Sequence, residues 1–178
     1  QLGGVDIIVN NAGTSSLHPN SLAIPDDRWQ ADLDINLLAA VRLNRALVPQ
    51  MLERGSGAIV HISSSAAYTV PGGVLHYGVS KAALIAYSKG LATELAPKGV
   101  RVNTITPGSV ATPGGDQARE QIATALGAPP EALLANIPVG RIGHVDEIAE
   151  AVAYLVSDRA GFTVGANLVI DGGELPRT

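Results

Sequence analysis

Tyr77 and Lys81 stand four residues apart, a spacing that sets a phenol and an ammonium on one face of a helix, one turn from each other. A free tyrosine titrates near 10 and is a poor acid or base at neutral pH, but a neighbouring cation favours its phenolate. Lowering that pKa by about 3 units corresponds to roughly 4 kcal/mol, within reach of one close cation in a partly dry site. Taken alone the pair is a weak signal, since ordinary solvated helix faces carry Tyr and Lys at this spacing. Ser64, thirteen residues before Tyr77, strengthens it. A hydroxyl there could donate to a carbonyl oxygen while the phenol supplies a proton.

Groups of this kind need a scaffold, and the hydropathy pattern supplies one. Short β-branched runs at residues 5–9, 58–62, 101–105 and 167–170 read as buried strands. Between them lie helical patterns at 26–53, 75–96 and 145–157, the second stopped by Pro97 and Gly99. Residues 113–138 hold two short helical patterns, split by Gly127 and Pro129-Pro130. Strands alternating with helices predict an α/β protein with a parallel sheet between two helical layers. Ligands of such sheets bind at the C-terminal strand ends. Asn10-Asn11-Ala12-Gly13, Ser63-Ser64-Ser65 and Pro107-Gly108 follow the first three strands, so all three converge on one crevice. Each is also an ordinary turn sequence. The two central helices are apolar on more than one side, Ala82, Ala83, Ile85, Ala86 and Leu91 nearly encircling theirs. Such helices are expected to be buried twice, on the sheet and in a homo-oligomer interface.

Composition narrows the rest. The 178 residues are 46% hydrophobic and 16% charged, which fits one globular domain rather than a disordered chain. Sixteen acidic against twelve basic residues leave a net charge of −4, with no electrostatic footprint for nucleic acid. No apolar run reaches the roughly 18 residues of a membrane span. The absence of cysteine removes thiol chemistry and thiolate metal sites; with no basic leader segment at Gln1, the expectation is a cytoplasmic protein. His18, His61, His76 and His144 share no metal-ligand spacing, and no metal is expected. His76, beside Tyr77, is either a substrate contact or loop, and Trp29 reads as packing. Arg54 and Lys98 could form a basic patch for an acidic carrier, though two surface charges are usually only solvated. No G-x-S-x-G elbow accompanies the serines.

The motifs together resemble the short-chain dehydrogenase/reductase family over essentially the whole chain. The resemblance rests on Asn10-Asn11-Ala12-Gly13, Asn36 within the following helix, Ile62-Ser63-Ser64, Tyr77-x-x-x-Lys81 and Val102-Asn103 with Pro107-Gly108-x-x-x-Thr112. Gly140-Arg141-x-Gly143 and Val169-Ile170-Asp171-Gly172-Gly173 complete it. It implies a Rossmann-like, doubly wound three-layer fold and an NAD- or NADP-dependent enzyme interconverting a secondary alcohol and a ketone. Tyr77 is then similar to the family's general acid/base, and Lys81 to the residue that lowers its pKa and holds the nicotinamide ribose. Ser64 resembles the serine that polarises the carbonyl, with Ser63 and Ser65 flanking it. Asn36 resembles the asparagine whose helix break holds a relay water. Asn11, Ala12, Gly13, Tyr77, Lys81, Pro107, Gly108, Val110 and Thr112 are implied as cofactor-binding, and residues 113–138 as a substrate lid. Ile122, Leu126, Leu133, Leu134 and Ile137 in that lid favour a partly apolar substrate or simply pack it down. Implied substrates are a 3-oxoacyl thioester, a sugar, a sterol or a small ketone, and the assembly a dimer or tetramer.

One part of the family pattern is absent. Neither G-x-G-x-x-G nor the family's Thr-Gly-x-x-x-Gly-x-Gly loop occurs, and the first strand here resembles the family's fourth. Three strands and two helices, roughly 60–80 residues, are missing by this comparison. The 178 residues are therefore expected to be a catalytic portion that exposes a sheet edge and binds cofactor poorly by itself, and that is inactive alone. A non-catalytic dinucleotide-binding protein on the same scaffold is the alternative; the Asn36, Ser64, Tyr77 and Lys81 set argues against it.

Overall fold

In the computed structural model, which describes residues 4–70 and 72–176, four strands lie in chain order in one parallel sheet. They are β1 (Ile7–Asn10), β2 (Gly57–Ile62), β3 (Val100–Pro107) and β4 (Asn167–Ile170). Ile59 sits opposite Ile8 on one side and Val102 on the other. After half-buried Gly57, every residue of β2 is buried, as expected for a strand covered on both faces. β1 is an edge strand and shows a period of two: Ile8 is buried while Ile7 and Val9 are exposed.

The helices are α1 (Asp26–Leu33), α2 (Ala39–Arg54), α3 (Leu75–Leu95), α4 (Pro113–Leu126) and α5 (Val145–Val156). Val48 and Met51 of α2 and Ala92 and Leu95 of α3 pack on Ile8, Ile59, Val100 and Val102. Leu155 of α5 covers the opposite face with Val60, Ile62 and Ile105. The sheet thus lies between two helical layers, the expected doubly wound architecture.

The helical pattern at 26–53 is broken in one place. Asp34–Leu38 forms a wide π turn in which the Ala39 N–H donates to Asp34 O, five residues back, and buried Asn36 lies inside it. Residues 113–138 divide where Gly127 ends α4 at φ +63°, and a 3-10 segment, Pro130–Asn136, follows. Ile137 is buried and Leu126 exposed. On α3, Ala82, Ala83 and Ile85 are half-buried, while Val79 and Ala86 face outward with Leu43 of α2. Among the described residues no helix is long and apolar enough to cross a membrane.

Candidate active site

Burial of β2 carries Ser63 and Ser64 to its C-terminal end, and the two serines point to different work. Ser63 is buried and donates its hydroxyl to Lys81 O at 3.1 Å, tying strand end to helix. Ser64 adopts an extended conformation, accepts from the Ala66 N–H at 3.2 Å, and lies close enough to the Tyr77 phenol to favour its ionised form. The serine selected by spacing is therefore the one facing the tyrosine.

Tyr77 lies in the first turn of α3 and Lys81 in the next, both pointing to the same strand end. The Lys81 ammonium donates to Ile62 O at 2.9 Å and sits 5.8 Å from the Tyr77 ring centroid. Burial pushes Lys81 down to about 8, with the Asp32 carboxylate acting in the opposite direction. Burial also raises the Tyr77 phenol above its ordinary value; the Ser64 hydroxyl opposes the rise and Asp32 adds to it. In the protein alone the phenol is thus held protonated. Lys81 reaches the ring and a backbone carbonyl, and desolvation outweighs the depression expected from the Tyr/Lys spacing.

Asn36 closes the third side. Its amide donates to Thr14 O and accepts from the Thr14 N–H, both at 2.9 Å, clamping the loop after β1. Asn11, Ala12 and Gly13 stay exposed on that loop. Asn36, Ser64, Tyr77 and Lys81 are therefore brought to one strand-end crevice beside Gly13. Pro107 and Gly108 end the next strand, where the Gly108 N–H donates to Ile170 O at 3.0 Å. Val110 bridges to Gly143, and the Thr112 hydroxyl caps α4 by accepting from the Gly115 N–H at 3.0 Å. Among the described residues no hydrogen bond joins Val110 or Thr112 to Ser64, Tyr77 or Lys81.

Thr14 and the Ile62 carbonyl were not singled out by sequence reasoning, and neither was Asp32. Asp32 is fully buried one turn before Asn36, its Oδ2 3.5 Å from His76 Nε2. The clue available was its four-residue offset from Asn36. His76 is fully buried rather than lining an open crevice, and the Trp29 ring meets its edge at 6.1 Å, as packing would. His61, also fully buried, contacts Asn44 Nδ2 and Ser88 Oγ, both at 3.0 Å. Arg54 pairs with Asp6 and Lys98 with Glu94, so these cations have carboxylate partners of their own.

A parallel sheet covered on both faces thus carries serine, tyrosine and lysine at one strand end. The chain belongs to the short-chain dehydrogenase/reductase family: the family model described as enoyl-(acyl carrier protein) reductase matches residues 1–174. It is 38% identical to dehydrogenase/reductase SDR family member 4 of Bos taurus, with 97% of this chain and 60% of that protein covered. Against the 3-oxoacyl-[acyl-carrier-protein] reductase FabG of Escherichia coli it is 38% identical, over 97% of this chain and 68% of the other. Among solved structures, NAD+-bound xylitol dehydrogenase superposes with a TM-score of 0.89 at 32% identity, covering 96% of this chain and 69% of that one. A gluconate 5-dehydrogenase from Burkholderia cenocepacia in complex with NADP and tartrate gives 0.89 at 30% identity, covering 98% and 66%. The chain therefore spans about three fifths to two thirds of the length of these relatives.

Proposed function

We propose that these residues form the catalytic part of an NAD- or NADP-dependent oxidoreductase that interconverts a secondary alcohol and a ketone, with Tyr77 as general acid/base. The observation that carries this reading is the convergence of the Ser64 hydroxyl and the Lys81 ammonium on Tyr77. In the reducing direction Ser64 donates to the substrate carbonyl oxygen and Tyr77 delivers the proton; in the oxidising direction Tyr77 receives it. Lys81, cationic at neutral pH, stabilises the phenolate that remains after proton delivery.

The crevice fits the nicotinamide half of a dinucleotide. Gly13 presents bare backbone beside Lys81 and Asn36, and Asn11 and Ala12 leave their edges open. Those residues, with Pro107, Gly108, Val110 and Thr112, would hold it. When bound, the nicotinamide supplies or accepts the hydride. The substrate is a small carbonyl or alcohol compound, a sugar, sterol, small ketone or 3-oxoacyl thioester, beneath the 113–138 segment acting as lid. The outward apolar residues Leu43, Val79 and Ala86 support a homo-oligomer, a dimer or tetramer joined through α2 and α3.

The test is Tyr77→Phe, assayed by nicotinamide absorbance in the catalytically active protein. Turnover is expected to fall by about 10²–10⁴-fold with unchanged circular dichroism. Near-normal turnover would remove Tyr77 from the role.

A further inference from the structure

Beneath the catalytic residues lies a buried polar cluster that proton transfer through Tyr77 does not use. Asp32 and His76 are both 0% exposed, with Oδ2 and Nε2 3.5 Å apart. Among the described residues neither Asp32 oxygen nor His76 Nδ1 has a hydrogen-bond partner. The Ser16 hydroxyl stands 3.2 Å from His76 Nε2 and 3.1 Å from His18 Nε2, and accepts from Arg28 Nη2 at 3.2 Å. Placement in the chain gives the cluster its meaning. Asp32 precedes Asn36 by one helical turn, and His76 is the residue before Tyr77. The pair is thus a polar link between α1, one turn before Asn36, and the helix that carries Tyr77 and Lys81.

We propose that Asp32 and His76 are positioning residues: the buried pair fixes the N-terminal turn of α3 against α1, and Asp32 places a carboxylate field on Tyr77 and Lys81. This inference rests on the reading of Tyr77 as acid/base. An apolar pair could fill the same space at lower cost, because burying a carboxylate is expensive, so filling space does not by itself account for these two residues. What an apolar pair would not supply is a charge beside the phenol and the ammonium. The groups facing Asp32 are His76 and Lys81 of α3, Arg28 of its own helix, and His18 of the loop after β1. Tyr77 also lies within the carboxylate's field. Burial raises Asp32 and lowers His76, and in each case the partner's charge opposes the shift.

Two variants of the catalytically active protein test the idea, Asp32→Asn and the apolar double substitution Asp32→Leu/His76→Leu. In both, kcat for alcohol oxidation is expected to fall roughly ten- to a hundredfold, since misplacing a reacting group by about 1 Å costs on that order. The KM for the nicotinamide cofactor should stay within about twofold. The acid limb of the kcat–pH profile should move to lower pH, because the anion that favours the protonated phenol is gone. The double variant removes both unpartnered groups, so it keeps the test alive if Asp32→Asn does not fold. A folded variant of either kind with wild-type kcat and an unmoved limb would overturn the proposal, as would a loss confined to thermal stability. Tyr77→Phe run in parallel separates the two claims: if it retains turnover the acid/base reading has failed, whatever Asp32 does.

Discussion

Gly13 lies so close to Lys81 that a β-carbon added to it would stand 3.2 Å from the ammonium nitrogen, and the same 3.2 Å from Asn36 Oδ1. The backbone after β1, Lys81 and the buried Asn36 therefore share one contact, and any side chain at position 13 must displace one of the others.

Gly13→Ala is expected to lower kcat by about tenfold through displacement of Lys81 or Asn36. Stability should change by less than about 1 kcal/mol, since the atoms that yield are side-chain ends. Steady-state kinetics beside thermal melting would show the split; unaltered kinetics would mean the site absorbs the methyl group.

His61 should make the fold acid-sensitive. Burial first, and the Lys81 charge second, hold its folded pKa at about 4, below the ordinary 6.5. The unfolded chain binds the proton more readily, so the contribution is intact above pH 6.5 and is lost as pH falls towards 4. The interval corresponds to roughly 3 kcal/mol. Urea midpoints of wild type should fall between pH 7 and pH 4, and His61→Gln should flatten that slope.

Arg101 closes the end of α5, donating to Leu155 O at 2.6 Å, Ser157 O at 3.0 Å and Ala160 O at 3.1 Å. Arg101→Met is expected to cost about 2–3 kcal/mol by leaving these carbonyls without the cation. Arg101→Lys should recover little of it, because a single ammonium cannot span three acceptors held in a fork. Chemical denaturation of the two variants would distinguish lost charge from lost geometry.

Two glycines with left-handed backbones should behave differently. Gly55, at φ +66°, has open space around it, and its change to Ala is expected to cost about 1 kcal/mol of backbone strain. Gly99, at φ +83°, would aim its methyl group into the Gly55 carbonyl, so Gly99→Ala should cost clearly more. Equal melting temperatures for the two variants would contradict that contact.

Much of the scaffold is legible in residue patterns because burial on both faces leaves a β-branched signature, as at Ile59, Val60 and Ile62. Ser64 is distinguishable from Ser63 by its distance to Tyr77 along the chain. Asp32 is not legible: between Ala31 and Leu33, with Asp34 two residues on, it reads as part of a solvated face. It is buried because α1 packs on α3, a tertiary contact that no local pattern records. The protonated state of Tyr77 is hidden for a similar reason. Spacing reveals a cation one turn away, but not that burial dominates or that the cation is engaged by the Ile62 carbonyl.

The wide turn at Asp34–Leu38 bears on how this chain can change over evolutionary time. A π turn accommodates one residue more than the surrounding helix, so deleting one residue there would restore regular winding while the segments on either side kept their present bearings. Asn44, Val48 and Met51 would stay in the core, and what would be lost is the bulge that carries Asn36. A deletion elsewhere in α2 has no such slack and would turn the core face by about 100° per residue. Length variants should therefore cluster at Asp34–Leu38 among folded chains and vanish under an activity selection, a contrast that a deletion-scanning library would expose.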